Sequence, residues 1–254
     1  MTRQPSPRIL LVDIETFPIL AHVWEVYEAN ALDVVTHSLI SCFSAKWLGG
    51  KQITKALPDY AGYKAGSEDD RRLVRDLWRL LDVADVVVWQ NGDKFDRRKI
   101  NARIIKHGMN PPSPYKTVDT LKEARRTFGF PSRKLDSMGE YLGIGRKVHT
   151  GGFLLWQKCM KGEAAAWKKF KQYCAQDVRL LEAIYLKFRP WMTSHPNVGV
   201  WAEDDCCPRC GSNKVQSRGS VRTVTTQYQR GFCGSCGGWF RFSKAQKTIG
   251  IRAV

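Results

Sequence analysis

Ile9 to Thr16, Ile-Leu-Leu-Val-Asp-Ile-Glu-Thr, is a short apolar run that ends by placing two carboxylates one residue apart. Side chains of an extended segment alternate between faces, so Asp13 and Glu15 point the same way while Val12 and Ile14 point into packing. Two acids on one face of a buried strand call for a cation, although a polar pair at a strand end would have the same sequence. Asp85 to Trp89 is a second continuous apolar run of strand length. Between the two runs, Ser67-Glu68-Asp69-Asp70 is an acidic opening for a helix to about Asp82, with Leu73, Leu77, Leu80 and Leu81 on one face. Residues 95–107 form an expected helix after the second run, with Ile100, Ile104 and Ile105 apolar and Arg97, Arg98, Lys99, Arg103 and Lys106 exposed. Strand, helix, strand, helix implies an α/β layer around a central sheet.

Ile19 to Tyr27 and Leu39 to Leu48 are rich in β-branched and aromatic residues and are expected as two further strands. The second turns at Gly49-Gly50 into a short extension through Ile53, so the sheet gains an antiparallel portion. Val118 to Phe128 is expected as a helix opened by Asp119 or Thr120, and residues 132–143 as a short helix stopped by Gly143; residues 145–162 have weak periodicity. From Ala164 to Phe188 the pattern is helical again, with Trp167, Phe170, Cys174, Val178, Leu181 and Tyr185 at spacings of three and four, and Pro190 marks the end. Residues 190–205 contain two prolines and three consecutive acids, after which Cys, Gly, Ser and Thr dominate. The expected division is one domain over 1–195, a linker over 196–205 and a small module over 206–254.

With 254 residues and 43% apolar content the chain has enough material for a full core. No apolar run approaches the ~20 residues that span a bilayer, and Met1 to Arg8 has two prolines and two arginines in place of an apolar signal. A cytoplasmic location is expected, with no membrane partner. The 41 Lys/Arg against 24 Asp/Glu give a net charge of +17, spread over both parts: 9 against 3 in residues 201–254 and 32 against 21 before them. Both parts would be drawn to a polyanion, the alternative being charge kept only for solubility.

Asp96 follows the turn Gln90-Asn91-Gly92-Asp93-Lys94-Phe95 at the start of the basic helix, where the helix dipole alone would favour a carboxylate. In Tyr173-Cys174-Ala175-Gln176-Asp177 a separation of four puts phenol and carboxylate on one helix face. Most such acids are simply exposed, but Asp177 lies beside Cys174, Val178, Leu180 and Leu181, and an acid near a buried stripe needs a partner. Asp13-x-Glu15, then Asn91-x-x-x-Phe95-Asp96, then Tyr173-x-x-x-Asp177 resembles, in order and spacing, the DEDD family of ribonuclease-H-like 3′–5′ exonucleases. The tyrosine subclass fits better, because the histidine subclass has His five residues before the last Asp and that position is Gln172. Val118-Asp119-Thr120-Leu121 and Lys134-Leu135-Asp136-Ser137-Met138 look like the family's linking segments, and the resemblance covers roughly residues 8–190.

The resemblance implies a ribonuclease-H-like mixed sheet flanked by helices and a two-metal phosphodiesterase. Four carboxylates can hold two hard divalent cations ~4 Å apart that activate water and stabilise the leaving oxygen. By analogy Asp13 bridges both ions, Glu15 and Asp177 complete one site, Asp96 supports the second, and Tyr173 orients the attacking water. Mg²⁺ or Mn²⁺ suits an oxygen-only ligand set. Lys94, Arg97 and Arg98 are candidates for phosphate contact, with a solvated helix face as the plainer explanation. His149 matches neither subclass and is expected in a loop.

Cys42, Cys159 and Cys174 are scattered among apolar residues and are expected as small core side chains. Cys207-x-x-Cys210 and Cys233-x-x-Cys236 are two knuckles 22 residues apart, each followed by glycine, that would hold one structural Zn²⁺ on four thiolates, with Cys206 as a spare. The pattern resembles a zinc ribbon. Val215 to Val224 and Thr225 to Phe232 alternate like a hairpin, and Trp239 to Phe242 form a third strand. Arg218, Arg222, Arg230, Arg241 and Lys244 place charge beside aromatics that either form the ribbon's small core or stack on bases. The expected activity is a metal-dependent 3′–5′ exonuclease, on DNA in preference to RNA, serving replication, recombination or repair in a bacterium or virus, with the ribbon aiding nucleic-acid binding. An exoribonuclease or structure-specific endonuclease on the same scaffold is the alternative enzyme. A decayed, non-catalytic nucleic-acid-binding protein is the other class, against which the complete set of acids argues.

Overall fold

The computed structural model describes residues 6–147 and 149–252, and the chain divides into two compact units, one of Arg8–Ile184 and one built from Tyr185 onward. The apolar opening run becomes β1 (Ile9–Thr16), followed by β2 (Leu20–His22), β3 (Asp33–Thr36), β4 (Ile40–Trp47) and β5 (Gln52–Ala56). Next come α1 (Arg71–Asp82), β6 (Val86–Trp89), α2 (Asp96–Lys106) and β7 (Lys116–Asp119). The helices α3 (Thr120–Thr127), α4 (Leu135–Tyr141), α5 (Leu154–Met160) and α6 (Ala164–Phe188) follow.

Five strands make a mixed sheet in the order β5-β4-β1-β6-β7. β1 lies at its centre, antiparallel to β4 and parallel to β6, which is in turn parallel to β7. Helices cover both faces, so all four residues of β6 are buried and its sequence, Val-Val-Val-Trp, is continuously apolar. Leu10, Phe43, Leu73, Leu77, Val87, Trp89 and Phe170 are fully buried members of the core. Cys42, Cys159 and Cys174 are buried with free thiols, as expected of core residues.

Several elements differ from expectation. Within Ile19 to Tyr27 only Leu20–His22 is a strand, and it pairs with β3 in a separate two-stranded ribbon, so the antiparallel part of the main sheet is β5-β4-β1 alone. Trp24, Val26 and Tyr27 are 84–87% exposed, so apolar composition there did not bring burial. The helix expected over Val118 to Phe128 opens at Thr120 with Asp119 as its cap, in line with expectation, but Val118 and Asp119 also pair with Val88 and Trp89 in a strand that was not expected. Asp119 then turns from strand to helix, its carboxylate accepting from the amides of Leu121 (3.0 Å) and Lys122 (3.4 Å). On α2, Ile105 faces solvent, whereas Arg103 is buried and its guanidinium grips Asp70 through Nε (2.8 Å) and Nη2 (2.5 Å).

The second unit contains a three-stranded antiparallel sheet, β10-β9-β8, made of β8 (Val215–Arg222), β9 (Thr226–Cys233) and β10 (Trp239–Thr248). The third strand continues past the expected Phe242. Cys233 closes β9 opposite Val215, so the cysteines gather at one end of the ribbon and the turn after Arg222 forms the other. Gly231 allows Phe240 to lie directly on the strand, since a Cβ there would come within 2.3 Å of the ring. The segment 196–205 is folded, with a 3₁₀ turn at Val198–Trp201 capped by Asn197 and a bond from Val198 N to Pro208 O of 2.8 Å. Among the described residues no helix is long and apolar enough to cross a membrane.

Candidate functional site

β6 pairs with only Ile9 to Leu11 of β1, so the last half of β1 has no strand on that side. The Ile14 amide, between the two acids of the motif, instead donates to Asp96 Oδ1 at 3.2 Å. That contact ties the first turn of α2 to β1. Asp96 is delivered there by a tight turn in which Asn91 adopts a left-handed backbone (φ 61°), a conformation that asparagine tolerates better than most residues. The Asn91 carbonyl accepts from Lys94 N and Phe95 N, and its amide donates to Asp119 Oδ1 at 2.9 Å. Gly92 is required in the turn because a Cβ would fall 2.1 Å from the Trp89 ring.

α6 crosses the same end of β1. Cys174 packs with Sγ 3.8 Å from the Asp13 carboxylate, and Asp177, one turn on, reaches the site. Carboxylate oxygens of Asp13, Glu15 and Asp177 all lie within 4.8 Å of one another. Asp96 stands beside this trio, held on the Ile14 amide, and adds its field to Asp13. Burial and mutual repulsion keep these acids far from their ordinary ionisation. Burial, then the charges of Glu15, Asp177 and Asp96, pushes Asp13 well up; burial and Asp177 raise Glu15 to about 8; and burial raises Asp96 to about 7 against the Ile14 hydrogen bond. Burial raises Asp177 too, opposed by Lys147 and by a hydrogen bond from Tyr173. Burial and the neighbouring acids push the Tyr173 phenol upward, so it stays protonated.

Asp177 tests whether this group suits a hard cation. Its Oδ2 is held by Lys147 Nζ at 2.5 Å, whereas its Oδ1 is buried with no hydrogen-bond partner. A buried carboxylate oxygen without a partner, on a side chain that stands beside two other acids, is a ready ligand, and oxygens sharing one octahedral Mg²⁺ stand ~2.9–4.2 Å apart. The donor set therefore fits one or two divalent ions after small side-chain adjustments.

A second group, rich in sulfur, lies in the other unit. Thiols of Cys207, Cys210, Cys233 and Cys236 are mutually within 4.8 Å, with Cys207–Cys236 at 3.7 Å and Cys210–Cys233 at 3.6 Å. Four sulfurs ~2.3 Å from a shared ion stand ~3.8 Å apart, so the spacing matches a tetrahedral centre. The Ser235 amide points at Cys233 Sγ (3.4 Å), and a hydrogen bond from Cys210, helped by backbone amides, holds the Cys207 thiol well below the usual range. Cys206 is outside the group.

A family model described as the RNase_H superfamily matches residues 27–189, more than half of the chain. The chain belongs to the RNase_H superfamily. The matched span contains Asp96, Tyr173 and Asp177 and begins after β1, so Asp13 and Glu15 lie outside it. No curated protein matches this sequence. Among solved structures, the family B DNA polymerase of the hyperthermophilic archaeon Pyrobaculum calidifontis is similar, with a TM-score of 0.53 and 18% identity over 74% of this chain. Only 25% of the polymerase chain is covered, and the likeness is one of fold. The mixed sheet flanked by helices is thus the RNase H-like fold.

In this RNase_H superfamily chain Lys94, Arg97 and Arg98 are exposed around the start of α2, with Arg97 4.0 Å from Asp93. His149 is exposed. Lys147 was not singled out by sequence, because it falls in the stretch without periodicity; its ammonium also lies 3.4 Å from the Tyr173 hydroxyl. Beside it is a cleft of about 550 Å³ lined by Gln90, Arg125, Arg133, Lys134, Asp136 and Lys147. The basic run Arg133-Lys134 was the available signal for that cleft.

Proposed function

We propose that the chain is a divalent-metal-dependent 3′–5′ exonuclease of the tyrosine DEDD subclass, acting on DNA, with residues 1–195 as nuclease domain, 196–205 as linker and 206–254 as a four-cysteine zinc ribbon and basic tail that aids nucleic-acid binding. One observation carries the reading: Asp177 of α6 converges on Asp13 and Glu15 of β1 with a carboxylate oxygen of each within 4.8 Å of the others, and Oδ1 of Asp177 is buried without a partner. Membership of the RNase_H superfamily and the fold of a DNA polymerase segment support it.

Asp13, Glu15, Asp96 and Asp177 would hold two Mg²⁺ or Mn²⁺. Bound there, such ions make water nucleophilic at neutral pH and stabilise the leaving oxygen. The acids present their oxygens from β1, α2 and α6 at positions fixed by those elements. Tyr173, kept protonated, orients a water by hydrogen bonding and does not act as a base. Lys147 offsets the charge of Asp177 and, with the basic cleft beside it, faces an incoming phosphate. Cys207, Cys210, Cys233 and Cys236 would hold one Zn²⁺ that fixes the ribbon's end.

The test is 5′-labelled single-stranded, duplex and recessed DNA, with matched RNA, incubated with Mg²⁺. Stepwise shortening from the 3′ end of DNA is expected. Asp13→Ala should lower the rate about a thousandfold or more, since a catalytic ion contributes several kcal/mol and each ~1.4 kcal/mol is tenfold. Faster loss of RNA would favour an exoribonuclease, internal cuts a structure-specific endonuclease, and an unchanged Asp13→Ala rate would remove the carboxylates from the reaction.

A further inference from the structure

From Cys206 onward the chain contains nine Lys/Arg and no Asp/Glu, so the positive charge of the ribbon has no compensating acid within it. The sheet arranges part of that charge on one face. Along β9, Tyr228, Arg230 and Phe232 alternate outward together, and on β10 Trp239 and Arg241 stand opposite Phe232 and Arg230 in register. Each arginine sits over a ring, with Cζ to ring-centroid distances of 4.7 Å for Arg218 and Phe232, 4.8 Å for Arg230 and Trp239 and 4.1 Å for Arg241 and Tyr228. The inner edges of two guanidiniums are also spent on the protein. Arg218 donates from Nε (3.1 Å) and Nη2 (2.8 Å) to Gln216 Oε1, and Arg230 from Nε to the Arg218 carbonyl (2.9 Å).

We infer that this face binds the sugar-phosphate backbone through Arg218, Arg230 and Arg241 and does not stack bases. The inference rests on the proposed nucleic-acid function and specifies its chemistry. A base approaching Phe232, Trp239 or Tyr228 on the face that the arginine covers has to displace a guanidinium, so its stacking is offset by a lost cation–π contact. A phosphate adds to the outer edge of a guanidinium and leaves the ring contact in place. Arginine favours that outcome further because its planar fork matches phosphate in two hydrogen bonds and is here already oriented. The ligand class is therefore a phosphodiester chain, irrespective of base identity. This revises the base-stacking role expected of the ribbon aromatics.

The test uses the full chain carrying Asp13→Ala, so that DNA is not cut, and a labelled single strand in two forms: one with bases and one of equal length with abasic sugars. Each is titrated against the parent and against Arg218→Gln/Arg230→Gln/Arg241→Gln. The affinity lost on removing the arginines should be the same for both strands within about twofold, and the log affinity against log salt slope should fall by about two units, ~0.7 per phosphate contact on a single strand. A loss confined to the base-bearing strand, or no loss at all, would overturn the inference. The triple Lys variant guards against a folding artefact: it should keep the parent slope, and a slope reduced as in the Gln variant would count against phosphate contact. Binding is read without cleavage, so failure here leaves the nuclease reading to its own assay.

Discussion

Glu15 has a raised ionisation midpoint, about 8 against an ordinary 4.5, because burial and the Asp177 charge disfavour its anion. A midpoint raised by folding gives stability that is complete below about 4.5 and is lost as pH rises through about 8. Asp13, Asp96 and Asp177 shift in the same direction, so the metal-free chain should lose thermal stability across this window. A divalent cation binds the ionised acids and should reverse the loss. Melting temperature measured with and without Mg²⁺ is expected to diverge with rising pH, and Asp13→Asn/Glu15→Gln should remove the divergence. A Mg²⁺ effect that is equal at both ends of the window would contradict the assignment. Lys147 limits the effect, since its ammonium already offsets part of the charge on Asp177.

Between elements, the firmest polar joint is Asp70. Its carboxylate, fully buried, accepts from Arg103 of α2, from the Ile40 amide of β4 at 2.9 Å and from His107 Nε2 at 2.5 Å. Asp70→Ala leaves Arg103 charged and unpaired in the interior, and breaking a buried pair in this way costs ~3–5 kcal/mol. Urea denaturation should show a loss of that size, and Asp70→Ala/Arg103→Leu should recover part of it. This joint also marks the boundary of what sequence conveys. α6 was legible end to end because its buried residues repeat every three or four positions over 25 residues. Arg103 was not, because periodicity assigns every charged residue to solvent and the partner lies 33 positions away. β7 has four residues with a polar start, and it is a strand only because β6 offers it a parallel edge. That Asp177 would meet Asp13 and Glu15 was legible only through the resemblance of three motifs in order, each weak by itself, whereas the gathering of the four thiols followed from the paired Cys-x-x-Cys spacing. Lys147 reaches Asp177 from a loop and left no pattern.

At the scale of the molecule, the two side-chain groups suited to a metal ion fall in different units: carboxylates around β1 in one and thiols of the ribbon in the other. They should be separable. Cys210→Ser is expected to lose the bound zinc, measured by elemental analysis, and to weaken DNA affinity in a salt-dependent way, while Mg²⁺-dependent cutting of a saturating short substrate persists. One zinc per chain retained in that variant would refute the four-thiolate centre. The ribbon's asymmetry has a further consequence. All four thiols lie at the end where Cys233 meets Val215, whereas the opposite end, from Arg222 to Thr226, is joined through hydrogen bonds and includes irregular pairing of β10 with β9. Amide hydrogen exchange should therefore be graded along the strands, slowest beside Cys233 and fastest near Thr223–Thr226, so the free tip can bend to the curvature of whatever it touches while the sulfur end keeps its shape.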